Sequence, residues 1–145
     1  MTEQPGVGGL PRVLFPCVHN SARSQMAEGL LRTIAGGRFE AFSAGAEATE
    51  VRPLAIRAMA EVGIDISGQR SKTVQEFEGQ AFDWVVTVCD DAKEACPYFP
   101  GDRQLHWSFD DPSAAEGPEE ERLEVFRRVR DEIAMRIRSD LVGPG

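Results

Sequence analysis

The chain alternates between two hydrophobic periods, and that alternation restricts its fold more than any other feature of the sequence. Short apolar runs at Val13-Leu14-Phe15, residues 39–43, residues 84–88 and, more weakly, residues 104–107 have the length and the β-branched or aromatic content of buried strands. Between them the period changes to that of a helix. Met26, Leu30 and Ile34 share one helical face with Ala27 and Leu31, and Gly36-Gly37 follows as a C-terminal stop. Leu54, Ala58 and Val62 repeat the pattern after Pro53, a residue suited to a helix start, and Gly63 ends it. The last helix is expected over residues 118–141, with Leu123, Phe126, Val129, Ile133 and Ile137 on its buried side. Its Glu-rich start suits the helix dipole, and its Arg-rich middle suits i,i+4 pairing. Strands alternating with helices imply an α/β fold: a three-layer sandwich around a four-stranded parallel sheet.

At 145 residues the chain is the size of one domain and needs no disulfide or metal to hold its core together. Residues 1–11 hold three glycines and two prolines and read as a flexible tail, leaving residues 12–145 as the domain. The formal net charge of −8 argues against nucleic acid and anionic membrane surfaces as partners. No apolar run approaches a membrane span, and residues 1–12 lack the pattern of a secretion signal, so a cytoplasmic protein is expected. Three cysteines and two histidines are too few and too scattered for a zinc finger or a disulfide framework. An anionic substrate would have to be captured by local geometry against the overall field.

The segment Cys17-Val18-His19-Asn20-Ser21-Ala22-Arg23 offers such geometry. It lies between the first strand and the first helix, where α/β folds bind ligands. A loop entering a helix there can turn successive backbone N–H groups into one concavity, and Arg23 adds a planar fork for two oxygens of a tetrahedral anion. A cysteine in such a field is expected to have a lowered pKa, since helix N-termini bring thiols from about 8.5 to roughly 3.5–7.5. Ser21 is placed to donate to the thiolate and Ser24 to cap the helix. A Cys-x5-Arg spacing alone also arises by chance, in a buried inert cysteine and a surface arginine; its place between a β-run and a helical run favours the anion site. The absence of Gly-Lys-Ser/Thr excludes a nucleotide P-loop.

Val13-Leu14-Phe15 followed by Cys-x-x-Asn-x-x-Arg-Ser-Gln-Met-Ala-Glu-Gly, from Cys17 to Gly29, resembles the low-molecular-weight protein tyrosine phosphatase fold, and within it the thioredoxin-coupled arsenate reductases. The likeness continues through Ser43-Ala44-Gly45, Gly63-Ile64-Asp65-Ile66-Ser67 and His106-Trp107-Ser108-Phe109-Asp110-Asp111-Pro112, covering residues 12–141. Ala22 stands where many relatives carry a second loop cysteine, so no disulfide can form inside the loop, and His19 replaces a common glycine. Neither change removes an anion ligand.

Cys89 and Cys96 lie seven residues apart. On a helix that spacing separates them by about 10.5 Å, too far for a disulfide without unwinding, and the spacing alone fits two small buried residues equally well. The resemblance implies a relay. Cys17 attacks arsenate, Cys89 then attacks Cys17 and releases arsenite, and Cys96 attacks Cys89 to leave a disulfide for thioredoxin; a mycothiol or glutaredoxin route stays open. The polar segment Asp90-Asp91-Ala92-Lys93-Glu94-Ala95 suits a stretch that must rearrange. Phosphate and sulfate are expected as competing oxyanions.

Asp111-Pro112 offers a proton donor for the leaving oxygen, because a carboxyl beside a bound dianion holds its proton more tightly. Asp110 serves as well on chemistry alone; the resemblance favours Asp111. His19 is expected as a loop residue and His106 as a structural one. No tightly bound cofactor is implied. Some relatives hold potassium behind the loop, and Asn20, Glu28, Ser43 and Asp65 fall at the matching positions, all with hard oxygen donors. The competing function is hydrolysis of phosphate esters through a cysteinyl-phosphate, as in the phosphatases. It needs no second thiol, and residues 113–117 lack the tyrosine pair those enzymes often show.

Overall fold

The computed structural model describes residues 9–90 and 94–142. Most of the expected tail, the middle of the Cys89–Cys96 segment and the last three residues lie outside that range. The elements run β1 (Arg12–Cys17), α1 (Arg23–Ala35), β2 (Glu40–Gly45), α2 (Pro53–Ala60), β3 (Trp84–Thr87), β4 (Arg103–His106) and α3 (Glu119–Arg136), with 3-10 turns at Val74–Phe77 and Pro112–Ala114. The strands form one parallel sheet in the order β2-β1-β3-β4. This is the expected α/β architecture, with β1 in the interior and its C-terminal end aimed at the loop before α1.

Alternation along β1 divides the core. Val13, Phe15 and Cys17 face the helical side, where they join Met26, Ala27 and Leu31 of α1, Ala55, Ala58 and Met59 of α2, and the α3 stripe. Leu14 faces the other way, with Ala44, Phe77, Phe82, Val85 and Phe99. The third layer is therefore a 3-10 turn and aromatic side chains rather than a long helix. Phe42, Phe77, Phe82 and Phe99 meet edge-to-face at 5.6–5.8 Å, and the Arg12 guanidinium lies over two of the rings. Rings packed this way gain quadrupole attraction beyond the area they bury.

Helix ends follow local chemistry. α1 stops at Gly36, whose φ of 59° is left-handed and easily adopted only without a side chain. α3 and the π-helical turn that continues it at Ile137–Val142 together keep all five expected core residues buried. The arginines of α3 pair along the helix, as Arg128 does with Glu132 and Arg127 with Glu124, and also reach across it. Arg127 and Arg130 both bind Glu61 just beyond α2, and Arg130, itself buried, donates to the Ala58 carbonyl at 2.8 Å. That clasp satisfies a helix-end carbonyl that α2 cannot satisfy itself.

Candidate active site

Cys17 is the last residue of β1 and Arg23 the first of α1, so residues 18–22 cross directly from sheet to helix. The carbonyls of this loop point outward. Those of Cys17, Val18 and Ser21 accept from Ala46, Glu47 and Arg52 N–H groups; that of His19 accepts the Thr49 and Ser71 hydroxyls, and that of Asn20 the Gln25 amide. A trans peptide sets each N–H opposite the preceding carbonyl. The N–H groups of Val18, His19, Asn20, Ser21 and Ala22 thus face the inside of the loop. A tetrahedral anion there meets an array of donors already oriented.

Two residues make this curvature possible. Asn20 sits at φ 53°, a left-handed conformation that asparagine tolerates better than most side chains. Its side chain braces the turn, accepting from Gln25 and from Lys72 N–H and donating to Ser24. Gly45, at the end of β2, packs so closely that a Cβ would lie 2.8 Å from Asn20 N and 2.9 Å from His19 C. The expected cap at Ser24 is not formed. Ala22 holds the cap position, and Ser24, inside the helix, uses its hydroxyl on Asn20. Ser21 is buried in the loop.

Cys17 is 3% exposed and Arg23 equally buried. Contrary to the sequence-based expectation, the Cys17 thiol is pushed up from its usual value. Burial is the main cause, Arg23 and the Val18 N–H pull the other way, and Glu94 and Asp111 add to the rise. The positive charge of Arg23 is already spent. Its two terminal nitrogens hold the Glu94 carboxylate at 2.6 and 2.7 Å, and one of them also donates to the Phe109 carbonyl at 3.1 Å. Glu94 was not foreseen from the sequence, since nothing in a polar segment distinguishes one carboxylate that turns inward.

The two candidate acids separate. Asp111 lies 3.8 Å from Arg23 and accepts from Ser113 N–H, fixed at the start of the Pro112–Ala114 turn. Asp110 turns outward to Arg128 on α3 at 3.1 Å. His19 is exposed, with its ring 3.8 Å from Glu47, and the His106 ring contacts the Thr87 hydroxyl.

Cys89 follows β3, and Val88 N–H donates to the Pro16 carbonyl, which holds the ends of β1 and β3 side by side. Cys17 and Cys89 share one buried cluster. Cys89 is joined to Cys96 in a disulfide with Cα atoms 6.1 Å apart, closer than the same two positions lie on an unbroken helix. Cys89 is fully buried and Cys96 partly buried, two residues before an exposed Tyr98.

The oxygen donors expected for potassium do not assemble. Asn20, Glu28 and Ser43 are buried together behind the loop, with the Ser43 hydroxyl on Glu28, but Asp65 lies on an exposed turn and binds Ser67. The Lys72 ammonium sits 3.8 Å from Glu28, and Arg32 binds the other Glu28 oxygen at 2.6 Å. Burial lowers the Lys72 pKa and Glu28 opposes that fall. Two protein cations already face the carboxylate that would anchor a metal ion, so the residues present do not fit one. Gln25, buried and bonded to Asn20, Arg70 and Gln69, was likewise missed, its only signal being a polar side chain on the apolar side of α1.

A strand-to-helix donor loop with a buried cysteine at one end and an arginine at the other defines a class: α/β proteins that hold a tetrahedral oxyanion against a thiol nucleophile. Within that class, residues 12–141 match the model of the low molecular weight phosphotyrosine protein phosphatases, and the chain belongs to that family. It is 49% identical to an arsenate reductase of Halalkalibacterium halodurans over 88% of this chain and 92% of that protein. Among solved structures, an arsenate reductase in the oxidized state superposes with a TM-score of 0.75 at 36% identity, covering 88% of this chain and 94% of that one. A thioredoxin-dependent arsenate reductase of Corynebacterium glutamicum superposes at 0.61 with 33% identity, covering 90% of this chain and 65% of that one.

Proposed function

We propose that the protein is an arsenate reductase whose three cysteines carry out a two-electron relay, with thioredoxin as the reductant, in the reducing cytoplasm. The observation that carries this reading is the Cys89–Cys96 disulfide at the end of the strand beside Cys17. Hydrolysis has no use for a second and third thiol, whereas reduction needs both.

The loop amides and Arg23 bind arsenate. The Cys17 thiolate attacks arsenic, and Asp111 gives a proton to the departing oxygen, which leaves as water. The Cys89 thiolate next attacks Cys17 Sγ. The sulfur–arsenic bonding pair passes to arsenic, which leaves as arsenite, reduced by two electrons, while the two thiols become a disulfide. Cys96 then attacks the Cys89 sulfur and frees the Cys17 thiolate. Of the two paired cysteines, the partly exposed Cys96 is the one a dithiol reaches from solvent. Phosphate and sulfate, being tetrahedral oxyanions, compete for the same loop.

The test is arsenate-dependent NADPH oxidation with thioredoxin and thioredoxin reductase. Wild type is expected to turn over many times, and Cys89→Ser and Cys96→Ser to stop after at most one equivalent. Sustained turnover by both variants would refute the relay. Efficient hydrolysis of a phosphate ester with no response to arsenate would establish the phosphatase reading.

A further inference from the structure

The guanidinium of Arg23 is held by Glu94 in the geometry that an oxyanion requires. Two carboxylate oxygens meet two terminal nitrogens at 2.6 and 2.7 Å, the bidentate arrangement by which arginine also grips phosphate. The contact is sheltered, with the Arg23 side chain 3% exposed and the Glu94 side chain 17% exposed. Glu94 is fixed from both ends by Asp90, whose N–H donates to its carboxylate and whose carbonyl accepts its N–H, each at 2.8 Å. The cleft beside it, of about 220 Å³, is lined by Asp90, Glu94, Asp110, Asp111 and Ala114. An anion approaching this mouth meets carboxylates rather than a free arginine.

Glu94 lies within the seven-residue span that the Cys89–Cys96 disulfide closes. The bond draws the two Cα atoms to 6.1 Å, against about 10.5 Å for the same residues on a helix, so disulfide and helix exclude one another. Glu94 thus sits on the stretch of chain that a change in the Cys89–Cys96 separation must act on.

We propose that Glu94 is a built-in competitor for the oxyanion site: in the disulfide form its carboxylate takes the two contacts on Arg23 that a tetrahedral oxyanion takes in the dithiol form, and reduction of Cys89–Cys96 withdraws it. Reduction delivers two electrons and two protons from a dithiol, which itself becomes a disulfide, and yields the two thiols. The oxidised protein thereby rejects a new oxyanion until it has been recharged. The same carboxylate contributes to keeping the Cys17 thiol protonated in that form. This inference rests on Cys17–Arg23 being the oxyanion site, and its test reads that point separately.

Phosphate is the probe, titrated calorimetrically into full-length protein. One sample is reduced with dithiothreitol. The other is oxidised with diamide, which accepts the two electrons and two protons, and is checked for one remaining titratable thiol. Reduced wild type is expected to bind phosphate, and oxidised wild type at least about tenfold more weakly, the loss given by a competitor engaged nine-tenths of the time. Oxidised Glu94→Gln is expected to recover most of that affinity and to alkylate faster at Cys17 with iodoacetamide. Equal binding by the two wild-type forms, or an oxidised Glu94→Gln as weak as oxidised wild type with unchanged alkylation, would overturn the proposal. Absence of binding by reduced wild type would overturn the oxyanion site itself, and the proposal with it.

Discussion

Charge at individual residues decides what the loop can do. Cys17 and Arg23 are where the sequence puts them, yet the thiol is raised rather than lowered, because burial of the sulfur outweighs Arg23 and the Val18 N–H, with Glu94 and Asp111 adding to the rise. A short motif reveals the positive partner at a fixed spacing; it cannot reveal a carboxylate brought in from 71 residues away. In the disulfide form a raised thiol pKa means little thiolate at neutral pH, so alkylation of Cys17 is expected to be slow at pH 7 and to climb through the alkaline range. A rate already at its plateau by neutral pH would contradict this. Arg23→Lys keeps the charge and loses the fork, and kcat/KM for arsenate is expected to fall about 10²–10³-fold, the scale for removing one oriented donor. Asp111→Asn removes the proton donor but not the binding groups. Steady-state assays should show kcat lower by about 10²–10⁴-fold with a smaller change in KM.

At the scale of elements, the site is a product of how β1, β2 and α1 meet. Their existence was readable from the hydrophobic periods, as was the position of the loop between them. What was not readable is the close approach of Gly45 to Asn20, because contact between segments distant in the chain leaves no local pattern. Gly45→Ala is expected to displace the loop and to abolish measurable phosphate binding while circular dichroism stays that of a folded α/β protein. The α2–α3 clasp was hidden for a similar reason: Arg128–Glu132 pairs along the helix as the sequence suggests, but Arg127 and Arg130 also reach Glu61 of the neighbouring segment. Arg130→Met leaves the Ala58 carbonyl unsatisfied in a buried setting and is expected to cost about 1–3 kcal/mol in urea denaturation. Arg127 holds Glu61 down to about 2. A depressed carboxylate stabilises the fold above its unfolded pKa and loses that contribution as pH falls, so the stability gap between wild type and Glu61→Gln should close between about pH 5 and pH 2.

Across the whole molecule, a net charge of −8 is the background against which an anion must be bound. The fold meets that demand locally, with loop amides, one buried guanidinium and β1 and β3 holding two thiols at adjacent strand ends. The four-stranded parallel sheet and its helical side were legible in advance; the thin aromatic layer on the opposite face was not, because Phe77, Phe82 and Phe99 lie in segments without a regular period. The three cysteines work as one system only if oxidation started at Cys17 passes to Cys89 and then to Cys96. That sequence is tested most directly by one turnover of the reduced Cys96→Ser variant with excess arsenate, followed by arsenite quantification and disulfide mapping by mass spectrometry. One arsenite per protein and a trapped Cys17–Cys89 disulfide are expected. Repeated turnover, or arsenite released with Cys17 and Cys89 both still reduced, would contradict the relay.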